Sequence, residues 1–420
     1  MDGAGLAGYR ALFALRDYRL FWTGFTLSVL GDALGRVALT WYVYEETGSA
    51  RALGWLMLCY TGPILVGGLV AGALLDRFDR RRVIMVDNVV RGAVMAVIPL
   101  LYAVDRLALW HVYLAAVAYG ALMMVSLAGG PALIPSLVPG ERLAAANALE
   151  MLSFTLGGVV GPPMAGLLLA RIAAPNVVLL DALSYAAFAL ALAAIRTAPS
   201  ATEEAAEAAG GHRHGLGDAV RLLLHSPVLR STTFMFMAFN IGNGMMAVWL
   251  PVLTDRELGG GAGLYGALLG SIACGEVIGA LVAGGLALPL TLGASICLAQ
   301  ALSGAALLLF LAPAAWLAGL GALLFGACSA PLTVWAQTLR MAIIPARLRG
   351  RTFALLRTIM QGGNPIGGAL GGLLLPGLGL AAMIGLSAVV VGTPGLLGAR
   401  VRALRGAGAP VEREAMAPAD

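Results

Sequence analysis

The chain reads as an all-α polytopic membrane protein of twelve transmembrane helices in two six-helix pseudo-repeat halves, and three observations predict this. Its 420 residues are 60% hydrophobic and 12% charged, with a mean hydropathy of +0.87, whereas a soluble domain of ordinary make-up is about a quarter charged. Apolar stretches recur along most of its length, and crossing about 30 Å of hydrocarbon takes roughly 20 residues of helix. The short alternating segments of a membrane β-barrel do not match this pattern. Finally, Ile134-Pro135 with Gly140, Gly157, Gly158 and Gly161 recurs 210 residues later as Ile344-Pro345 with Gly350, Gly367, Gly368 and Gly371. A constant offset of this kind marks an internal duplication.

Segments are expected near 20–45, 51–75, 83–103, 108–135, 144–170 and 174–196, then 228–254, 262–287, 289–312, 314–339, 353–376 and 379–400. All 27 basic residues are arginine. With the N-terminus inside, 21 arginines lie on the cytoplasmic side, Arg51, Arg106, Arg171 and Arg256 lie outside, and Arg36 and Arg91 lie within segments. Basic residues concentrate on the cytoplasmic side of membrane proteins, so both termini are expected there. The positive net charge follows from topology and is no footprint of nucleic acid. Abundant Ala and Gly without Lys point to a GC-rich bacterial genome, hence a bacterial cytoplasmic membrane. No cleavable leader is expected, because Arg10, Arg16 and Arg19 interrupt the first apolar stretch.

The expected division is a first half over 1–196, a cytoplasmic linker over 197–227, a second half over 228–402 and a tail over 403–420. Tyr9 to Phe21 spaces apolar and basic residues as an amphipathic surface helix does, and so does Leu216 to Leu224. The linker breaks the apolar pattern with Pro199, Glu203, Glu204, Glu207, Gly210 and Gly211. His212 and His214 lack a third ligand beside them, so a solvated linker is preferred to a metal site. Cys59, Cys274, Cys297 and Cys328 sit in apolar segments without metal spacing and read as packing residues. His111, His212, His214 and His225 have no Ser or Cys arrangement around them and no G-x-S-x-G occurs. No enzyme chemistry, metal or cofactor is therefore called for.

Charge within hydrocarbon is costly on any scale, so each intramembrane ionisable group needs a partner or a task. Asp32 and Arg36 lie four apart in segment 1 and share a face, so they can neutralise each other. Asp87 and Arg91 repeat the spacing in segment 3. For both pairs a structural ion pair rivals a functional role. Glu276 lies about fourteen residues into segment 8 with no basic residue within four positions. An acid so placed can take up a proton when dry and release it when water arrives, as proton coupling requires. The alternative is a Glu held protonated by hydrogen bonds within the bundle. Asp181 in segment 6 is expected to be a structural hydrogen-bonding acid. Asn240, Asn243, Gln337, Gln361, Asn364 and Trp41 are the candidate cavity residues, with Phe234, Met235, Phe236, Phe239, Met245, Met246 and Trp335 as an adaptable apolar lining.

Two motifs carry a family resemblance. Gly72 to Arg82, GALLDRFDRRR, closes segment 2 and opens segment 3. Its Gly72, Asp76, Arg77, Arg80 and Arg81 resemble the loop between helices 2 and 3 of the major facilitator superfamily, which usually has glycine where Asp79 stands. Segment 5 holds GGVVGPPMAG, in which Gly157, Gly161, Pro162 and Gly166 are similar to the superfamily's antiporter signature, with Ala165 and Ala148 departing from it. The bland readings are a charged turn that sets topology and a helix-packing motif. Leu15 to Ala50, Pro139 to Leu149 and Leu179 to Leu192 further resemble the branch of enterobactin exporters and macrolide efflux proteins.

The resemblance implies the major facilitator fold, with substrate bound between parallel six-helix repeats near mid-depth. It implies that Asp76 helps to latch the cytoplasmic gate and that segment 1 lines the cavity while segment 3 does not. The function expected is a proton-coupled antiporter exporting a lipophilic or amphiphilic small molecule such as a drug, macrolide or siderophore, with Glu276, Asp32 and Arg36 in the coupling. The alternatives are a lipid or lysolipid flippase of the same fold and a transport-dead membrane sensor. Its partners are then the substrate, protons and the bilayer, with no nucleic acid, and the working form is a monomer.

Overall fold

The computed structural model describes residues 10–196, 216–285, 290–345 and 348–408. Most of the expected linker, with His212 and His214, lies outside the described residues, as do Pro289 and the tail from 409 onward. The described residues form helices joined by short turns, with no strand among them.

Residues 10–14 are helical and bend at Leu15 into α1, Arg16–Thr47. The stretch expected on the membrane surface is thus continuous with the first long helix. Its Leu12 and Tyr18 are fully buried, and the Tyr18 hydroxyl donates to the Ala146 carbonyl at 3.1 Å. Gly48, at φ 55, ends α1, and the Ser49 side chain caps the start of α2, Ala50–Thr61. Segment 2 does not run through. Pro63 lacks a backbone donor, and α3, Ile64–Arg77, begins just after it. Then come α4, Arg80–Ala103; α5, Leu109–Leu133; α6, Leu143–Leu169; and α7, Ala174–Ala194.

The later part holds α8, Leu216–His225, where a short amphipathic helix is expected, and α9, Pro227–Val252. A π-helical turn over Leu253–Glu257 extends α9. Next are α10, Gly261–Gly285; α11, Leu292–Leu307; and α12, Ala315–Ile343. Segment 11 is broken at Gly362 into α13, Arg349–Gln361, and α14, Gly363–Leu378. The last helices are α15, Leu380–Gly398, and α16, Arg402–Arg405.

Among the described residues, ten helices are long and apolar enough to cross a membrane, judged by length and composition. The two expected segments outside that set are the first, whose apolar run Asp32 and Arg36 dilute, and the eleventh, which the break shortens.

Contacts divide the chain into two units. The first comprises Met1–His212, Ala247–Gly270 and Gly368–Gly377. In it α1 packs chiefly on α7 and α6, and α4 on α7 and α5. Tyr18, Phe21 and Phe25 of α1 meet Ile84, Leu149, Phe188 and Leu192 in its core. The second unit comprises Arg213–Met246, Ser271–Gly367 and Leu378–Asp420. There α11 packs on α12 and α15, and Met235, Phe236, Ile296, Cys297, Leu332 and Ala336 share a core. In hydrocarbon there is little hydrophobic drive between helices, so fit and internal polar bonds hold such bundles together.

Candidate functional site

In the first unit α1, α4, α5 and α7 converge on a buried polar cluster, with Arg91 at its centre. One helical turn separates Asp87 from Arg91, and the Arg91 Nη2 donates to Asp87 Oδ2 at 2.7 Å. Ser126 of α5 donates to the same carboxylate oxygen at 2.7 Å and also bonds Arg91. On the other side Arg91 Nη1 donates to the Tyr185 hydroxyl at 3.2 Å, the guanidinium lies 4.6 Å from the Tyr185 ring centroid, and Tyr185 donates to Asp32. Arg91 Nη1 and Asp32 Oδ1 are 3.6 Å apart.

Two expectations change here. Asp32 pairs with Arg91 across the bundle and not with Arg36, because Arg91 and Tyr185 reach its carboxylate together. The segment-3 pair, on a segment that the resemblance puts outside the cavity, is therefore joined to Asp32 of segment 1 through Arg91. An arginine can serve both acids because its guanidinium presents five donors in a rigid fork. Buried charge is tolerable where its hydrogen-bonding capacity is met, and Arg91 is 1% exposed.

Asp181 departs from its expected hydrogen-bonding role. It is fully buried, and neither carboxyl oxygen has a hydrogen-bond partner. Its neighbours are the α1 backbone at Gly31 and Gly35, where glycine makes the room: a methyl at Gly31 would come within 3.0 Å of Asp181 Oδ1.

Arg36 is the one exposed residue between Gly31 and Tyr44, and Asp32, one turn earlier on the same face, is half-buried. The groups acting electrostatically on Arg36 are Tyr60, Tyr119, Asp32 and Tyr265. Tyr60 and Tyr119 stack with centroids 4.7 Å apart. Trp41, expected to line a cavity, is buried, with its ring 6.1 Å from Tyr265 and 5.5 Å from Tyr44.

In the second unit Glu276 is exposed on α10. The apolar exposed stripe of that helix runs through Ala267, Ile278 and Leu281. At 100° per residue Glu276 points away from those three residues, to the face carrying Leu269, Ile272 and the exposed Ala280. Three of the expected polar residues meet around the break at Gly362. Asn240 Nδ2 donates to the Met360 carbonyl at 2.8 Å, and Asn364 Nδ2 to Gln361 Oε1 at 3.0 Å. A broken helix leaves backbone carbonyls without their usual donors, and an amide side chain can supply one. Asn243 is half-buried and Gln337 exposed, and the structure does not bring them into this group. Of the expected apolar lining, Met235 and Phe236 are core, and Phe239 stacks on Phe325 at 5.3 Å.

The arginines of the loop between α3 and α4 are occupied within the first half. Arg81 Nε donates to the Leu192 carbonyl at 2.6 Å and its Nη2 to that of Ala193 at 2.8 Å. Arg80 donates to the Ala132 carbonyl at 3.1 Å. Cations at helix C-termini satisfy free carbonyls and the helix dipole together. Asp79 caps α4 by accepting from the Arg82 amide at 2.8 Å, which gives a role to the position where the resemblance expects glycine. Arg77 lies over the Phe78 ring. Gly72 is half-buried and open on its Cβ side. Asp76 is exposed and forms no hydrogen bond or ion pair among the described residues.

On α6, Gly157 and Gly161 face Val29 and Ala33 of α1. The other side of the same motif meets residues 262–270: Pro162 and Gly166 abut Gly266, and a Cβ at Gly166 would lie 2.7 Å from the Ala262 carbonyl oxygen. Such closeness needs glycine. Near these residues Tyr44 donates to Asp255 at 2.8 Å, and Arg256 to the Gly48 carbonyl at 2.9 Å.

A family model for the Major Facilitator Superfamily matches residues 21–368. The chain belongs to that superfamily. Among superfamily members of known activity, it is 26% identical over 365 residues to the multidrug efflux pump Tap of Mycolicibacterium fortuitum, covering 84% of this chain and 87% of that one. It is 28% identical over 382 residues to the enterobactin exporter EntS of Salmonella typhimurium, covering 87% and 88%. Among solved structures, a POT family transporter in complex with a thioalcohol-conjugated peptide superimposes with a TM-score of 0.68 at 14% identity, over 91% of this chain and 95% of that one. A bacterial homolog of the human lysosomal transporter Spinster gives 0.68 at 16% identity, over 92% and 97%. These two likenesses show the major facilitator fold alone. The superfamily assignment and the recurrent apolar helices make this a multi-pass membrane protein.

Tyr185, Ser126 and Glu150 went unmarked in the sequence. Tyr185 and Ser126 are neutral, and nothing in their spacing shows that they bond Arg91. Glu150 is 3% exposed with Oε1 unpartnered, and as an acid inside segment 5 it could have been found by the rule that marked Asp181. Among the described residues no group of three His, Cys, Asp or Glu is placed to hold a metal ion.

Proposed function

We propose that the chain is a proton-driven exporter of an amphiphilic or lipophilic small molecule, working by alternating access in a bacterial cytoplasmic membrane with both termini inside. Export is supported by relatives named as an efflux pump and an exporter over more than four fifths of the chain. The observation that carries the coupling is the position of Asp32: partly exposed, one turn before the exposed Arg36 on an otherwise largely buried stretch of α1, ion-paired with Arg91 of α4 and hydrogen-bonded by Tyr185 of α7. Protonating it removes the ion pair that ties α1 to α4, leaves Arg91 to Asp87 and Ser126, and so changes how α1 sits on its neighbours. Glu276, exposed away from the apolar stripe of its helix, is the second proton carrier. For coupling, proton and substrate must favour opposite states of the carrier. Asp76, exposed and without an ion-pair partner among the described residues, is available to latch the cytoplasmic gate in another conformation. A monomer suffices for this cycle.

Expression in a pump-deleted host, screened against a panel of amphiphilic toxic compounds, should raise the tolerated concentration of at least one. The gain should vanish in Asp32→Asn, shrink in Glu276→Gln and disappear when an uncoupler collapses the gradient. A gain that survives the uncoupler rules out proton drive. A C-terminal tag reached from outside intact cells overturns the orientation.

A further inference from the structure

Arg36 is the cation that the rest of the cluster leaves over. Along α1 the residues from Gly31 to Tyr44 are buried or half-buried except this one. A face turned to lipid exposes apolar residues turn after turn, as Ala267, Ile278 and Leu281 do on α10. A single exposed arginine in a buried run instead borders an internal space that water reaches.

Its charge has no bonded partner among the described residues. The Arg36 guanidinium makes no hydrogen bond or ion pair there, while the backbone carbonyl of the residue accepts from the Thr40 hydroxyl at 2.9 Å. Asp32, the acid on its own face, is already bonded by Arg91 and Tyr185, and Asp87 by Arg91 and Ser126. Besides Asp32, the groups acting electrostatically on Arg36 are the phenols of Tyr60 and Tyr119, stacked on each other, and of Tyr265, backed by Trp41. All four rings are less than a tenth exposed, so they are fixed walls and not adaptable loops. A guanidinium with five donors and no acceptor, exposed in a buried run and with its donors unused, is built for an anion from outside the chain.

We propose that Arg36 anchors the anionic group of the transported molecule, so that the substrate class is an organic anion carrying a carboxylate, phosphate, sulfonate or acidic phenol. This deepens the exporter reading and rests on it for the word transported. It excludes the cationic amphiphiles that an exposed Glu276 alone would suggest.

The test uses full-length protein in liposomes without any gradient, in equilibrium dialysis against three labelled compounds of one shape: 2-naphthoate, 2-naphthamide and 2-naphthylmethylammonium. Protein-free liposomes give the background. Naphthoate should be held roughly tenfold more tightly than the amide, the usual scale of one charge-assisted pair, and the ammonium compound most weakly. Arg36→Gln should bring naphthoate down to the amide. Arg36→Lys should keep part of the preference, having the charge without the fork. Equal retention of the three, preference for the ammonium compound, or no retention above background overturns the proposal on the unmodified protein, before any variant is needed. A naphthoate preference that survives in Arg36→Gln overturns the assignment to Arg36. A chain that holds naphthoate through Arg36 but confers no uncoupler-sensitive resistance keeps its anion site and loses the pump.

Discussion

The buried cluster of the first unit and the helix break of the second accommodate polar groups in different ways. On α1, α4, α5 and α7 charge is concentrated: Asp87, Arg91 and Asp32 form one chain of ion pairs completed by Ser126 and Tyr185. At the break between α13 and α14 neutral amides meet: Asn240 serves the Met360 carbonyl, and Asn364 donates to Gln361. The first arrangement is expensive to break and changes when one proton is added. The second is cheap, insensitive to protons, and tolerates a broken helix.

The largest effect should come from Arg91, because it is the only cation paired with both Asp32 and Asp87 among the described residues. Arg91→Met leaves two acids without their partner, and breaking a buried ion pair from one side costs about 3–5 kcal/mol. The expected result is a large drop in the melting temperature of the purified protein, or none recovered from the membrane. Adding Asp87→Asn should restore part of it, since an amide can be left without a cation. If Arg91→Met melts like the parent, the cluster is not what holds α4 to α1 and α7.

Asp32→Asn comes next, and it separates stability from transport. Asparagine still accepts from Tyr185, and the carboxylate is partly exposed, so the fold should persist. Uncoupler-sensitive transport should fall by about tenfold or more, the scale of a coupling free energy between linked sites, and its dependence on external pH should flatten. Glu276→Gln should do less, because the Asp32 cluster remains. If Glu276→Gln proves the more damaging, the coupling belongs to the second unit and the roles of the two units are reversed.

Asn240→Ala probes the neutral region. One amide-to-carbonyl hydrogen bond at a helix break is worth about 1 kcal/mol, so stability should drop by that much and transport little. A loss of transport comparable to that of Asp32→Asn would show that the break at Gly362 carries more than a bend.

The chain displays its helices plainly and its site only in outline. Apolar runs, turn residues such as Gly48 and Asp79, and the duplicated glycines depend on neighbours in sequence, so they are legible without coordinates. The breaks at Pro63 and Gly362 carried a local signal too, in Gly62-Pro63 and Gly362-Gly363, but the long apolar runs around them obscured it. Partners across the bundle are different. The i,i+4 spacing of Asp32 and Arg36 equals that of Asp87 and Arg91, yet only the second pair forms, because tertiary approach of Arg91 and Tyr185 decides the first. Asn240 and Asn364 were chosen for being polar in apolar company, and the structure brings both to the same helix break.

Asp181 gives the smallest effect and the finest test of the contrast. It is an acid in the charged unit that takes no part in the ion-pair chain, with both oxygens buried and unpartnered against the backbone of Gly31 and Gly35. A carboxylate left unpaired in such a place costs several kcal/mol, so the position gains nothing from bearing a charge. An asparagine side chain has the same shape without one, so Asp181→Asn should alter stability by less than about 1 kcal/mol and leave transport and its pH profile as they were. A profile that moves with Asp181→Asn while the melting temperature stays put would mean that this acid, and not Asp32 alone, exchanges the proton. The charged cluster would then take in a further turn of α7, from Tyr185 back to Asp181.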